Sequence, residues 1–236
     1  MSATSRITGP QALDARPCRA VVFDFDGTLA RLNIDFAAMR SDVLKLTARH
    51  GLDVEAIRDL PALELIEQAR ATLAAVEPSR AEAYGSAAHA RIMEIELAAA
   101  RVGELFGGTR ELLFALRRRR IGTAIITRNC LPAVRTIFPD LDRFVDAAIS
   151  RELTPRVKPH PDHLRMALAV LSVPPDHTLM VGDHPLDMEV GREVGAFTVG
   201  VLTGSGNRAE LTRAGARCIL ASASDLLGLL DRAVQP

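Results

Sequence analysis

The apolar run Ala20-Val21-Val22-Phe23 passes directly into Asp24-Phe25-Asp26-Gly27-Thr28-Leu29, and this junction constrains the fold more than any other stretch. A short β-branched run reads as a buried strand. Residues two apart on an extended backbone point the same way, so Asp24 and Asp26 lean toward one place. Open α/β sheets bind ligands at the carboxyl ends of their strands, where this pair falls. The same letters also suit a plain turn, because Asp and Gly are turn formers. The remainder of the chain decides between the two.

Two patterns follow in order. From about Asp35 to Arg101 the apolar residues recur at helical spacing with almost no strand pattern. Phe36, Met39, Val43 and Leu46 mark one helix, and Asp53 reads as the N-cap of a short helix through Val54, Ile57 and Leu60. Leu63 to Val76 and then Tyr84, Ala88, Ile92 and Ile95 continue the helical pattern. From Gly107 strands alternate with helices: 123–127, 145–149, 178–181, 196–201 and 217–220 read as strands. Such alternation implies a parallel sheet covered on both faces. The expected fold class is therefore α/β: a Rossmann-like parallel sheet core with helices on both faces and an inserted all-helical domain. The expected boundaries are a tail at 1–19, a core of 20–32 and 106–236, and a helical insert at 33–105.

Bulk properties exclude little but narrow the partners. The 236 residues balance 29 Lys and Arg against 29 Asp and Glu, so net charge favours neither a polyanion nor a membrane surface. Arg117 to Arg120 form the one dense basic run, and they suit the last turn of a helix. No nucleic-acid and no membrane partner is expected. Cys18, Cys130 and Cys218 have no pairing or metal spacing, which reads as reduced thiols in a cytoplasmic protein. The first nineteen residues lack an apolar stretch and read as a tail rather than a signal peptide. Arginine is abundant while lysine occurs only at positions 45 and 158. A lysine that persists in such a background hints at a compact ammonium among phosphate oxygens.

Three further strand ends carry polar residues: Thr127-Arg128-Asn129, Lys158-Pro159, and Gly182-Asp183-His184-Pro185-Leu186-Asp187. Each has a bland reading alone, as a helix cap, a surface lysine or a capping carboxylate. Together they would bring two Asp, a Thr, a Lys and two further Asp to one edge of a parallel sheet. Clustered carboxylates repel unless a cation joins them, and hard oxygen ligands favour Mg²⁺. A hydroxyl and an ammonium can then orient a phosphoryl group, which suggests phosphoryl transfer onto an aspartate.

These four motifs, in this order and with the helical insert after the first, resemble the haloacid dehalogenase (HAD) superfamily in its phosphoglycolate phosphatase-like branch. The resemblance spans roughly residues 20 to 231. It implies that Asp24 is the nucleophile and Asp26 the general acid and base. Thr127, helped by the Arg128-Asn129 turn, would hold the transferring phosphate, and Lys158 would neutralise charge beside the nucleophile. It implies Mg²⁺ bound by Asp24, the Asp26 backbone carbonyl and Asp183. Asp187 would support the metal directly, through water, or by orienting Lys158. The insert would be a cap that selects a small phosphorylated substrate, with Arg40 and Lys45 as candidates to meet it. The expected state is a monomer or homodimer.

Asp26 separates reactions within the superfamily, because dehalogenase relatives lack that second acid. A phosphomonoesterase acting on a small metabolite, phosphoglycolate at family level, is the leading expectation. A sugar phosphomutase, a phosphonatase using Lys45 as an imine, and a non-catalytic phosphate-binding protein are the alternatives. His160 and His163 are read as neighbours of the Lys motif rather than as metal ligands. Thr203-Gly204-Ser205-Gly206 is read as a turn into the next helix.

Overall fold

The structure is a computed structural model that describes residues 17–233; the expected tail thus lies outside the described residues up to position 16. The chain forms two compact units, 33–102 and the remainder.

The larger unit is built on a six-stranded sheet. Its strands are β1 (Ala20–Phe23), β4 (Gly122–Ile126), β5 (Ala147–Ile149), β6 (Thr178–Gly182), β7 (Phe197–Val201) and β8 (Cys218–Leu220). All pair in parallel, in the order β5-β4-β1-β6-β7-β8. β1 is buried along its whole length, as expected for a central parallel strand covered on both faces. The connecting helices are α4 (Thr109–Arg118), α5 (Leu131–Ile137), α6 (Pro161–Leu171), α7 (Pro185–Val194), α8 (Arg208–Ala214) and α9 (Leu226–Ala233). One apolar layer sets Phe23, Leu113, Ile125, Val181 and Val199 together. A second layer, on the other side of the sheet, sets Val22, Ile126, Leu164, Met180 and Val190 together. Alternate residues of β1 thus feed opposite layers, as the two-residue period of a strand requires.

The strand order places the site. From β1 the chain moves to β4 and β5 on one side, then returns to β6, β7 and β8 on the other. The connections diverge at β1, which leaves a crevice beyond the carboxyl ends of β1, β4 and β6.

The smaller unit contains α1 (Phe36–Arg49), α2 (Ala62–Ala74) and α3 (Pro78–Ala100). It has its own core of Met39, Val43, Leu65, Ile66, Tyr84 and Ile92. Tyr84 buries its ring there and its hydroxyl meets Thr47 Oγ1 at 2.7 Å. The short helix expected after Asp53 is a single 3-10 turn, Glu55–Ile57. Its N-cap position is Val54 and not the expected Asp53, whose Oδ1 accepts from the Glu55 N–H at 3.0 Å in the turn leading into it. Pro61 disfavours helical backbone at Leu60, so too few residues remain for α-helix. Two dipeptides flank the helical segment in sequence and pair antiparallel, β2 (Ala30–Arg31) with β3 (Glu104–Leu105). The compact helical unit accordingly ends at Val102, three residues before the boundary the periodicity suggests.

Candidate active site

β1 delivers Asp24 and Asp26 to the crevice. Asp24 still belongs to the sheet through its N–H, which donates to the Val181 carbonyl at 2.9 Å. The chain then turns sharply, and the N–H groups of Leu29 and Ala30 both donate to the Phe25 carbonyl. Gly27 takes φ +83° in this turn, and a Cβ there would sit 2.7 Å from Asp183 Oδ2. Both the left-handed backbone and the close approach require glycine.

On one side of Asp24 lies a buried charge cluster. Lys158 Nζ donates to Asp24 Oδ1 and, at 2.6 Å, to Asp187 Oδ1. Asp187 is fully buried, and its second oxygen accepts from the His184 N–H at 3.0 Å. That second bond closes a capping box at the start of α7. Asp187 is therefore a helix cap and a lysine anchor at once. Asp183 is clamped by three groups. Thr28 Oγ1 donates to its Oδ1 at 3.2 Å, while the N–H and hydroxyl of Ser205 donate to its Oδ2 at 2.8 and 3.2 Å.

On the other side, Thr127 Oγ1 donates to Asp26 Oδ2 at 3.2 Å and accepts from the Asn129 N–H at 3.0 Å. Asn129 Nδ2 donates to Asp26 Oδ1 at 3.0 Å. Thr127 does not cap the following helix, which begins at Leu131 with Cys130 as its N-cap residue. Arg128 occupies the turn, partly exposed, and its carbonyl accepts from Arg151 Nη1 at 3.2 Å.

Burial dominates the electrostatics. It raises Asp24 to about 6 against the pull of Lys158, with Asp183 adding repulsion. Burial, and then the Asp24 charge, raise Asp26 to about 6. Burial also raises Asp187 to about 6 despite Lys158, and raises Asp183, which Asp187 repels. Burial alone would lower Lys158, but Asp187 and Asp24 together outweigh it and hold the ammonium above its ordinary range. One ammonium thus faces an excess of carboxylates. Asp24, Asp183 and Asp187 each offer an oxygen within 4.8 Å of the others. A buried, over-negative set of hard oxygen donors fits a divalent cation of the Mg²⁺ class.

A family model for haloacid dehalogenase-like hydrolases matches residues 18–195. The chain belongs to this family. Among curated HAD-like proteins, it is 31% identical over 238 residues to the N-acetylmuramic acid 6-phosphate phosphatase of Pseudomonas aeruginosa, covering 92% of this chain and 96% of that one. It is 32% identical over 181 residues to the haloacid dehalogenase-like hydrolase domain-containing protein At2g33255 of Arabidopsis thaliana, covering 76% and 69% of the two chains. Among solved HAD-like folds, CbbY from Rhodobacter sphaeroides in complex with phosphate superposes with TM-score 0.62 at 23% identity, over 91% of this chain and 99% of that one. The protein is a HAD-like phosphatase.

The eight motif residues lie at this HAD-like crevice or its turns. Three neighbours join them that the sequence pattern does not mark. Ser205 falls in the loop turn, Thr28 in the first motif, and His163 beside the Lys motif. His163 is buried, accepts from the Lys158 N–H at Nδ1 (3.1 Å) and meets the Ile149 carbonyl through Nε2 (2.9 Å). It ties the lysine loop to the end of β5. Its position five residues after Lys158 was the available clue. The cap candidate Lys45 is exposed and pairs with Asp42 at 3.2 Å.

Proposed function

We propose that this phosphatase is a Mg²⁺-dependent phosphomonoesterase that hydrolyses a small phosphorylated metabolite through an aspartyl-phosphate. The observation that carries the proposal is the separation of Asp24 and Asp26. Asp24 lies in the lysine and carboxylate cluster, whereas Asp26 faces Thr127 and Asn129. Two adjacent carboxylates with different partners suit different tasks.

Lys158 holds Asp24 Oδ1, which leaves the other oxygen of Asp24 to attack phosphorus. Thr127 and the turn after it meet the phosphoryl oxygens. Asp26 gives its proton to the departing alcohol, then takes one from the water that cleaves the aspartyl-phosphate. Asp24, Asp183 and the Asp26 carbonyl would hold Mg²⁺, which when bound neutralises charge on the transferring group. Both oxygens of Asp187 are engaged by Lys158 and His184 N–H, so orienting the lysine is the role its geometry supports. The residues 33–102 serve as the cap. The N-acetylmuramic acid 6-phosphate phosphatase relative makes sugar-acid phosphates, beside phosphoglycolate, the first compounds to try. Cysteine is sparse, three in 236 residues and without pairing spacing, which supports a reducing compartment such as the cytoplasm.

The test is phosphate release from p-nitrophenyl phosphate and from a panel of phosphorylated metabolites that includes both compounds. Chelation should abolish turnover and Mg²⁺ should restore it. Single-turnover quenching should trap a hydroxylamine-labile phosphate on Asp24, and Asp24→Asn should fall to background. Wild-type turnover by Asp24→Asn would remove the proposed nucleophile.

A further inference from the structure

Asn129 is fixed on both faces of its side chain, and that arrangement bears on Asp26. Its Oδ1 accepts from the Cys130 N–H at 2.7 Å. A backbone N–H can only donate, so the amide cannot be turned round, and Nδ2 must face Asp26. There it donates to Oδ1 at 3.0 Å. The residue is 3% exposed, so its amide is held largely out of water. The other oxygen of Asp26 has a different kind of partner. Thr127 offers one hydroxyl hydrogen, and it is directed at Asp26 Oδ2. The lone pairs of Thr127 Oγ1 are partly taken by the Asn129 N–H. A phosphoryl oxygen entering beside Thr127 can receive that hydrogen only if Asp26 Oδ2 gives it up.

We infer that Asn129 is a positioning residue for Asp26: it anchors Oδ1 so that Oδ2, released when Thr127 turns to the phosphate, is the oxygen that passes the proton to the leaving alcohol. The inference rests on the proposed roles of Asp24, Asp26 and Thr127. The step balances as a single displacement. The bond from Asp24 to phosphorus forms, the bond from phosphorus to the ester oxygen breaks, and the Oδ2 proton moves to that oxygen. Alcohol leaves and Asp26 remains as carboxylate. Asn129 itself keeps all its atoms and touches neither phosphorus nor the alcohol. This side-chain task is separate from the phosphate-holding role proposed for the backbone of the Arg128-Asn129 turn.

Leaving groups provide the test. An alkoxide needs the proton in order to depart, whereas p-nitrophenolate departs without it. The value of kcat/KM reports steps through departure of the leaving group and is blind to later hydrolysis of the aspartyl-phosphate. The quantity measured is the ratio of kcat/KM for an alkyl phosphate to that for p-nitrophenyl phosphate, with saturating Mg²⁺. For Asn129→Ala this ratio should fall by about tenfold or more. Asn129→Ser, which keeps a hydroxyl for the Cys130 N–H but is too short to hold Asp26, should lower it similarly. Thermal melting establishes that each variant is folded, and Asp26→Asn is the reference. If Asp26→Asn lowers the ratio but both Asn129 variants leave it at the wild-type value, the inference fails and the assignment of Asp26 stands. If Asp26→Asn also leaves it unchanged, the acid assignment itself fails. An equal loss on both substrates in the Asn129 variants would show a merely structural role and overturn the inference.

Discussion

Burial and hydrogen bonding pull in opposite directions at His163, and burial wins. The ring is held near 4, well below the ordinary 6.5, although the Ile149 carbonyl favours its charged form. Because Nδ1 accepts from the Lys158 N–H, protonation would break the bond that fixes the lysine loop. The unfolded chain takes up this proton below about 6.5 and the folded chain only near 4. Stability from the neutral ring is therefore complete above 6.5 and is lost as pH falls toward 4. His163→Leu lacks this titration. The stability gap between wild type and this variant should be widest near pH 7 and narrow by up to about 3 kcal/mol toward pH 4. Urea unfolding across that range measures it, and a gap independent of pH would refute the assignment. At Asp26, removal of a positioned acid costs about 10²- to 10⁴-fold for proton-dependent leaving groups. Asp26→Asn should show that loss in kcat/KM with alkyl phosphates while still binding them. Asp24, Asp26 and Asp183 are legible in the sequence because they follow apolar strand runs, and Asp187 because it lies four residues after Asp183 at the start of α7. His163 is not, since a buried ring that bonds backbone has no periodicity of its own.

At the scale of elements, the loop after β7 is the less obvious half of the site. Thr203 Oγ1 donates to the Gly27 carbonyl at 2.6 Å, and the Gly206 N–H donates to the Asp183 carbonyl at 3.1 Å. The loop thus binds the ends of β1 and β6 together. Gly204 lies so close to Asp183 that a Cβ would overlap its carboxylate. Gly204→Ala should displace that carboxylate and weaken binding of the proposed Mg²⁺ by about tenfold or more, in line with loss of a group that orients a metal ligand. Ser205→Ala keeps the stronger N–H bond and should weaken binding far less. Titration calorimetry and the Mg²⁺-induced rise in melting temperature both read this order, and equal affinities would contradict it. Composition alone made this segment a turn, and it is a turn. Its second task depends on β7 lying beside β6, a neighbour relation set by sheet order. Helix starts were easier to read. Asn207 and Glu210 form the reciprocal bonds of a capping box at the start of α8, directly after the expected turn.

Over the whole molecule, the two units carry separate cores. Ile66 packs with Leu65, Tyr84 and Ile92 in the helical unit, and Phe23 packs with Ile125 and Val181 in the sheet unit. Ile66→Ala should cost about 2–5 kcal/mol by leaving a cavity. Hydrogen exchange should show this as faster exchange in residues 36–100, with β1, β4 and β6 still protected. Equal loss of protection in both units would mean one cooperative core instead of two. Local pattern is enough to read the alternation of strands and helices, the helical insert, and the carboxylates, threonine and lysine at strand ends. Those features are local, because strand period, helix period and turn chemistry act over a few residues. Which carboxylate meets Lys158, which oxygen of Asp26 faces Asn129, and which loop clamps Asp183 depend on the packed fold. It also decides the pairing of Ala30–Arg31 with Glu104–Leu105 across the helical insert. These contacts join residues as far apart as Asp24 and Lys158, 134 positions along the chain. No local pattern encodes such distances; the order of strands in the sheet brings them together.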